Sequence, residues 1–129
     1  MRPLPVRVLL VEDSEVYRSS LELLLGLEDG IDVVGAVATG DDAVALASAL
    51  HPDVALVDLR LPGMSGTETT TALRAAAPQT AVLCLTAEAT ERERAAVLAA
   101  GAVAVVGKDE PLRALADAVR TASGAPDPA

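Results

Sequence analysis

At 129 residues with 51% hydrophobic side chains, the chain has the size of one domain and is too apolar for intrinsic disorder. A net charge of −9 argues against direct nucleic-acid binding, which needs a basic face, and fits a protein partner, a cation or a plain solvated acidic surface. One cysteine, Cys84, excludes an internal disulfide and a multi-cysteine metal site; within the apolar run 81–85 it reads as a small buried hydrophobe.

Val6–Val11 is a β-type run that ends on Glu12 and Asp13. Ser14 then suits a helix cap, and Tyr17, Leu21, Leu24 and Leu25 recur on one helical face before Gly26 and Gly30 end it. Tyr17 is the sole aromatic, so the core must be built from Leu, Val and Ala, which suits tight packing of helix on sheet. Ile31–Val37 reads as a second strand, and Thr39-Gly40-Asp41-Asp42 opens a second helix with Ala43, Leu46, Ala47 and Leu50 as its stripe. His51-Pro52 stops that helix, where His51 is a C-terminal residue favoured by the helix dipole.

Val54–Asp58 is an unbroken apolar run closed by a carboxylate, the pattern of a strand buried on both faces in a parallel sheet. A Pro- and Gly-punctuated loop follows, and a third helix is expected over 67–77, anchored by Leu73 and stopped by Pro78. Thr69, Thr70 and Thr71 weaken it, because β-branched side chains lose rotamer freedom in a helix. Residues 81–85 form a fourth strand that ends on Thr86. Thr90-Glu91-Arg92-Glu93 has capping-box spacing and opens a fourth helix closed by Gly101. A short fifth strand over 103–106 leads to Gly107-Lys108, and Asp109 with Pro111 starts a last helix with the stripe Leu112, Leu115, Ala116 and Val119. Residues 123–129 have the composition of a linker or tail.

Alternating strands and helices imply an α/β domain with a parallel sheet, which gathers the strand ends on one edge. Glu12, Asp13 and Asp58 then meet Thr86 and Lys108, the only lysine in the chain. Three clustered carboxylates repel one another unless a cation offsets them, and hard oxygen ligands suit Mg²⁺. A carboxylate can also accept a phosphoryl group, for which a lysine supplies charge and a threonine a hydrogen bond.

The segments Leu9-Leu10-Val11-Glu12-Asp13, Asp58-Leu59-Arg60-Leu61-Pro62-Gly63-Met64-Ser65-Gly66, Leu85-Thr86-Ala87 and Gly107-Lys108-Asp109 resemble the motifs of response-regulator receiver domains, most like the NarL/LuxR-type branch. The resemblance covers about residues 5–122. It implies a doubly wound five-stranded parallel sheet of order 2-1-3-4-5, a flavodoxin-like receiver fold. It also implies Asp58 as phosphoacceptor from a histidine kinase, with Asp13 and Asp58 binding Mg²⁺ directly, Glu12 through water, and the Arg60 backbone carbonyl completing the protein ligands. Thr86 would be the switch hydroxyl and Lys108 the counter-charge. A receiver domain is then expected over 1–122, with 123–129 leading to an effector domain that would alone contact DNA and regulate transcription. Homodimerisation would use the face of the fourth helix, fifth strand and fifth helix. Such a chain is a switch that at most catalyses its own phosphorylation and dephosphorylation.

Val105 stands where the family usually has Tyr or Phe, the main support for a second reading, a phosphorylation-independent interaction module with the same fold, against which the complete set of acids, Thr86 and Lys108 argues. A haloacid-dehalogenase-type phosphohydrolase would need an Asp two residues after the nucleophile, where Arg60 stands. A dinucleotide-binding domain would need Gly-x-Gly-x-x-Gly after the first strand, and none is there. With no signal-peptide pattern and no apolar run of spanning length, the expected location is the cytoplasm, away from membranes.

Overall fold

The computed structural model describes residues 4–124. Five strands, β1 (Val6–Val11), β2 (Ile31–Val37), β3 (Val54–Asp58), β4 (Ala81–Thr86) and β5 (Ala102–Gly107), pair in parallel in the order 2-1-3-4-5. Between them run α1 (Glu15–Gly26), α2 (Gly40–Leu50), α3 (Gly66–Ala76) and α4 (Glu91–Ala99), and α5 (Leu112–Ser123) follows β5. The connection leaving β1 moves one way across the sheet and those leaving β3 move the other. The crevice beyond the carboxyl ends of β1 and β3 is therefore the switch point, where such sheets bind ligands.

Alternation along the strands sorts the core into two layers. Leu9, Val11, Ala55, Val57, Val82 and Cys84 pack under α2, α3 and α4, through Ala43, Ala47, Leu73 and Val97. Val8, Leu10, Val54, Leu56, Leu83 and Leu85 face α1 and α5, through Leu21, Leu25, Leu115, Ala116 and Val119. All of β3 is buried, as its unbroken apolar run requires. Burial and the nearby Asp58 charge push the Cys84 thiol up to about 12, so it is the inert core residue its position suggested.

The helices keep most of their expected stripes. Leu24 is the exception: Leu21 and Leu25 are buried, while Leu24 is 44% exposed. At 100° per residue, Tyr17 and Leu24 lie at the edge of the stripe that Leu21 and Leu25 centre. The three threonines do sit in α3, where Thr70 Oγ1 donates to the Gly66 carbonyl at 2.8 Å and so satisfies its hydroxyl within the helix. That helix starts one residue earlier than expected, because Ser65 and Glu68 form a capping box. α5 begins at Leu112, with Pro111 at its N-cap and no side-chain cap, and it extends through Ser123. Of the expected tail, residues 125–129 lie outside the described residues.

Two local devices shape the opposite edges of the sheet. At Gly66 a Cβ would lie 2.4 Å from the Asp58 carbonyl oxygen and 2.6 Å from Leu59 Cα, so only glycine lets α3 start hard against the end of β3. At the opposite edge, Arg7 Nη1 donates to the carbonyls of Leu50 and His51 at 2.6 and 3.0 Å, closing the end of α2, where His51 is left-handed at φ 52°.

Candidate functional site

The strand ends deliver the acids as their order predicted. One carboxylate oxygen from each of Glu12, Asp13 and Asp58 lies within 4.8 Å of the others. Glu12 and Asp58 are buried and Asp13 is exposed at the rim. Alternation along β3 turns Asp58 toward the α1 and α5 side, the side from which Lys108 arrives after β5. Lys108 Nζ pairs with Glu12 Oε1 and lies 3.2 Å from Asp58 Oδ2, so one ammonium joins two of the three acids. Its own backbone is held by a bond from the Lys108 N–H to the Thr86 carbonyl at 2.8 Å.

Electrostatics follow from this crowding. Burial raises the Glu12 pKa above the ordinary carboxylate value, and the adjacent Asp58 adds to it; Lys108 and the Ser14 N–H pull the other way. Burial pulls the Lys108 ammonium down, but Glu12 and Asp58 together outweigh it and lift its pKa above the usual lysine value. Tyr17 lies beneath, its ring centroid 4.5 Å from Lys108 Nζ, a cation–π contact. Burial raises the phenol of Tyr17 against the pull of the Lys108 ammonium, and the Glu12 and Asp58 charges add to the rise. Three carboxylates against one ammonium leave the cluster short of positive charge, and its hard oxygen donors fit a small divalent cation.

The other flank is built from loops. Arg60 N–H turns back to donate to Asp58 Oδ1 at 3.0 Å. The Arg60 side chain leaves the site and pairs with Glu93 at the start of α4, Nη1 to Oε2 at 2.8 Å. Thr86, expected beside Asp58, is buried at the end of β4, but its hydroxyl donates to the Glu88 carbonyl at 2.7 Å within the β4–α4 loop. The structure thus gathers Glu12, Asp13, Asp58 and Lys108 and sets the Thr86 hydroxyl on the neighbouring loop. Val105 is half-buried and packs on the α2–α3–α4 layer, opposite Cys84 in β4.

Sequence reasoning took Arg60 only for its carbonyl and missed its guanidinium. It also left Tyr17 as a core residue. No local pattern marks either contact, since each depends on two elements distant in the chain.

Residues 8–120 match the family described as "Response regulator receiver domain". The chain is 37% identical over 118 residues to the response regulator protein VraR of Staphylococcus aureus, covering 92% of this chain and 56% of that protein. It thus spans a little over half the length of the curated relatives it matches. Its structure superimposes on the signal receiver domain of the putative response regulator NarL from Mycobacterium tuberculosis with a TM-score of 0.90 and 32% identity, over 95% of this chain and 98% of that one. A CheY of Borrelia burgdorferi, solved as a CheX–CheY–BeF3–Mg²⁺ complex, shares the fold at a TM-score of 0.82 and 21% identity, over 92% and 89% of the two chains. With the sheet order, the acidic crevice and these relatives in agreement, the chain belongs to the response-regulator receiver domains, among relatives of the NarL/LuxR type.

Proposed function

We propose that Asp58 accepts a phosphoryl group from a histidine kinase and that this switches partner binding. The observation that carries the reading is the placing of Asp58: it ends β3 at the switch point, between the acids of β1 and the ammonium of Lys108. A carboxylate oxygen of Asp58 attacks phosphorus, the bond from phosphorus to the donor imidazole nitrogen breaks, and the nitrogen keeps the electron pair. In-line attack by one anion on another needs positive charge nearby, which Lys108 supplies from its place between Glu12 and Asp58.

Mg²⁺ fits the remaining deficit and, when bound, would supply the charge that lets a phosphoryl anion approach the acids. Asp13 and Asp58 would hold it directly, Glu12 through water and the Arg60 backbone carbonyl as a further ligand. The BeF3 and Mg²⁺ of the Borrelia burgdorferi complex support the same choice. Thr86 would turn from Glu88 toward the phosphoryl oxygens, and the α4–β5–α5 face would change its affinity for a partner or a second copy. Residues 1–122 act as this switch; 123–129 lead to a DNA-binding effector that regulates transcription from the cytoplasm. Among the described residues no helix is long and apolar enough to cross a membrane.

Intact-mass measurement after treatment with a small phosphodonor tests the reading. The wild type should gain one phosphoryl group only with Mg²⁺, and Asp58→Asn should gain none. Equal masses with and without donor in the wild type would favour the phosphorylation-independent module that Val105 suggests.

A further inference from the structure

The Arg60 side chain crosses from the β3–α3 loop to α4 and joins three parts of the switch. It grips Glu93 at two points, Nη1 to Oε2 at 2.8 Å and Nη2 to Oε1 at 3.0 Å. The same Nη2 donates to the Glu88 carbonyl at 3.2 Å. That carbonyl also accepts the Thr86 hydroxyl, and the Glu88 N–H donates back to Thr86 Oγ1 at 3.1 Å. Glu93 has a second duty, since its Oε1 accepts the Thr90 N–H at 3.0 Å and caps α4. The reciprocal half of that cap is the Glu93 N–H donating to Thr90 Oγ1 at 3.1 Å; in the core the helix sinks only Val97, while its other residues are exposed or half-buried.

We infer that the Arg60 guanidinium is a positioning residue for Thr86: braced on Glu93, it fixes the Glu88 carbonyl to which the Thr86 hydroxyl is bound within the β4–α4 loop. The inference rests on reading Asp58 as the phosphoacceptor and assigns the resting bias of that switch. A planar fork pairs with a carboxylate at two points and leaves an N–H for a third acceptor, which a lysine cannot do. The brace therefore favours the unphosphorylated arrangement. Loosening it shifts the population toward the one in which Thr86 is free to turn, and a ligand that selects that arrangement binds more tightly.

The cleanest variant is Glu93→Gln, because glutamine keeps the cap on the Thr90 N–H but carries no charge to hold the fork. Its amide resonances at Thr86 and Glu88, recorded by NMR with no ligand, should move toward the positions seen in beryllofluoride-saturated wild type. Beryllofluoride with Mg²⁺ should bind about two- to five-fold more tightly than to wild type, the range expected for an exposed ion pair. High salt should narrow that ratio by screening the pair in the wild type. If Glu93→Gln loses its fold, Arg60→Met removes the same bridge from the other end and should show the same resonance shifts. Wild-type resonances and affinity in a folded variant overturn the brace. A wild type that binds no beryllofluoride overturns the phosphoacceptor reading instead, and the ligand-free shifts at Thr86 and Glu88 still decide whether Arg60 fixes this loop.

Discussion

Asp58 lies between two bridges of the same chemistry in opposite surroundings. On the α1 side, Lys108 and Glu12 expose 21% and 2% of their side chains; on the α4 side, Arg60 and Glu93 expose 59% and 31%. A buried pair is costly to break, because removing one partner strands the other charge in a poorly solvated place. An exposed pair is screened by water and salt and contributes little to stability. The receiver thus has a fixed half that sets where the clustered carboxylate oxygens lie and an adjustable half that sets how the neighbouring loop rests. Glu93 still feels its partner: the Arg60 hydrogen bonds, helped by the Thr90 N–H, hold its carboxyl below the usual range. That pull biases a loop without holding up a fold.

Breaking the buried half should have the larger effect. Lys108→Met leaves Glu12 and Asp58 facing each other with no ammonium between them. Urea denaturation without Mg²⁺ should show a loss of about 2–3 kcal/mol, below the range for a wholly buried pair because Lys108 is partly exposed. Added Mg²⁺ should restore much of it. A loss comparable to that of an exposed pair would erase the distinction between the two flanks.

The next effect is one of pH. Glu12 has a folded pKa above its unfolded value, so its contribution to stability is fully present below about 4.5 and is lost as pH rises through the folded value. In Mg²⁺-free buffer, wild type should therefore lose stability relative to Glu12→Gln as pH rises above about 4.5. Lys108 is raised as well, so its contribution holds below its ordinary value of 10.5 and fades only above that. A wild-type-minus-variant difference that is flat across the acid range would mean that Glu12 is not crowded as described. The smallest effect belongs to the exposed half. Glu93→Gln should leave the denaturation midpoint almost unmoved while shifting the Thr86 and Glu88 resonances, and a large fall in the midpoint would make Arg60–Glu93 a structural tie rather than a bias.

What could be seen in the sequence divides along the same line. Buried strands announce themselves as apolar runs, and a parallel sheet aligns their ends, so Glu12, Asp13, Asp58 and Lys108 could be placed together from chain order alone. Arg60 with Glu93, and Arg7 with the carbonyls of Leu50 and His51, depend on how two elements distant in the chain approach in space, which no local periodicity encodes. The capping box of Ser65 and Glu68 did carry a signal, Ser-x-x-Glu before Leu73, and the threonines beside it obscured the reading.

The chain has no tryptophan or phenylalanine and a single tyrosine, and that ring rests 4.5 Å from the ammonium of Lys108. Its near-ultraviolet emission therefore comes from one fluorophore at the edge of the acidic crevice. Any event that draws the ammonium toward a new anion on Asp58 alters the electric field across that phenol. Optical readout at this site needs no dye, no engineered tryptophan and no correction for distant rings: the unmodified protein is its own single-channel probe.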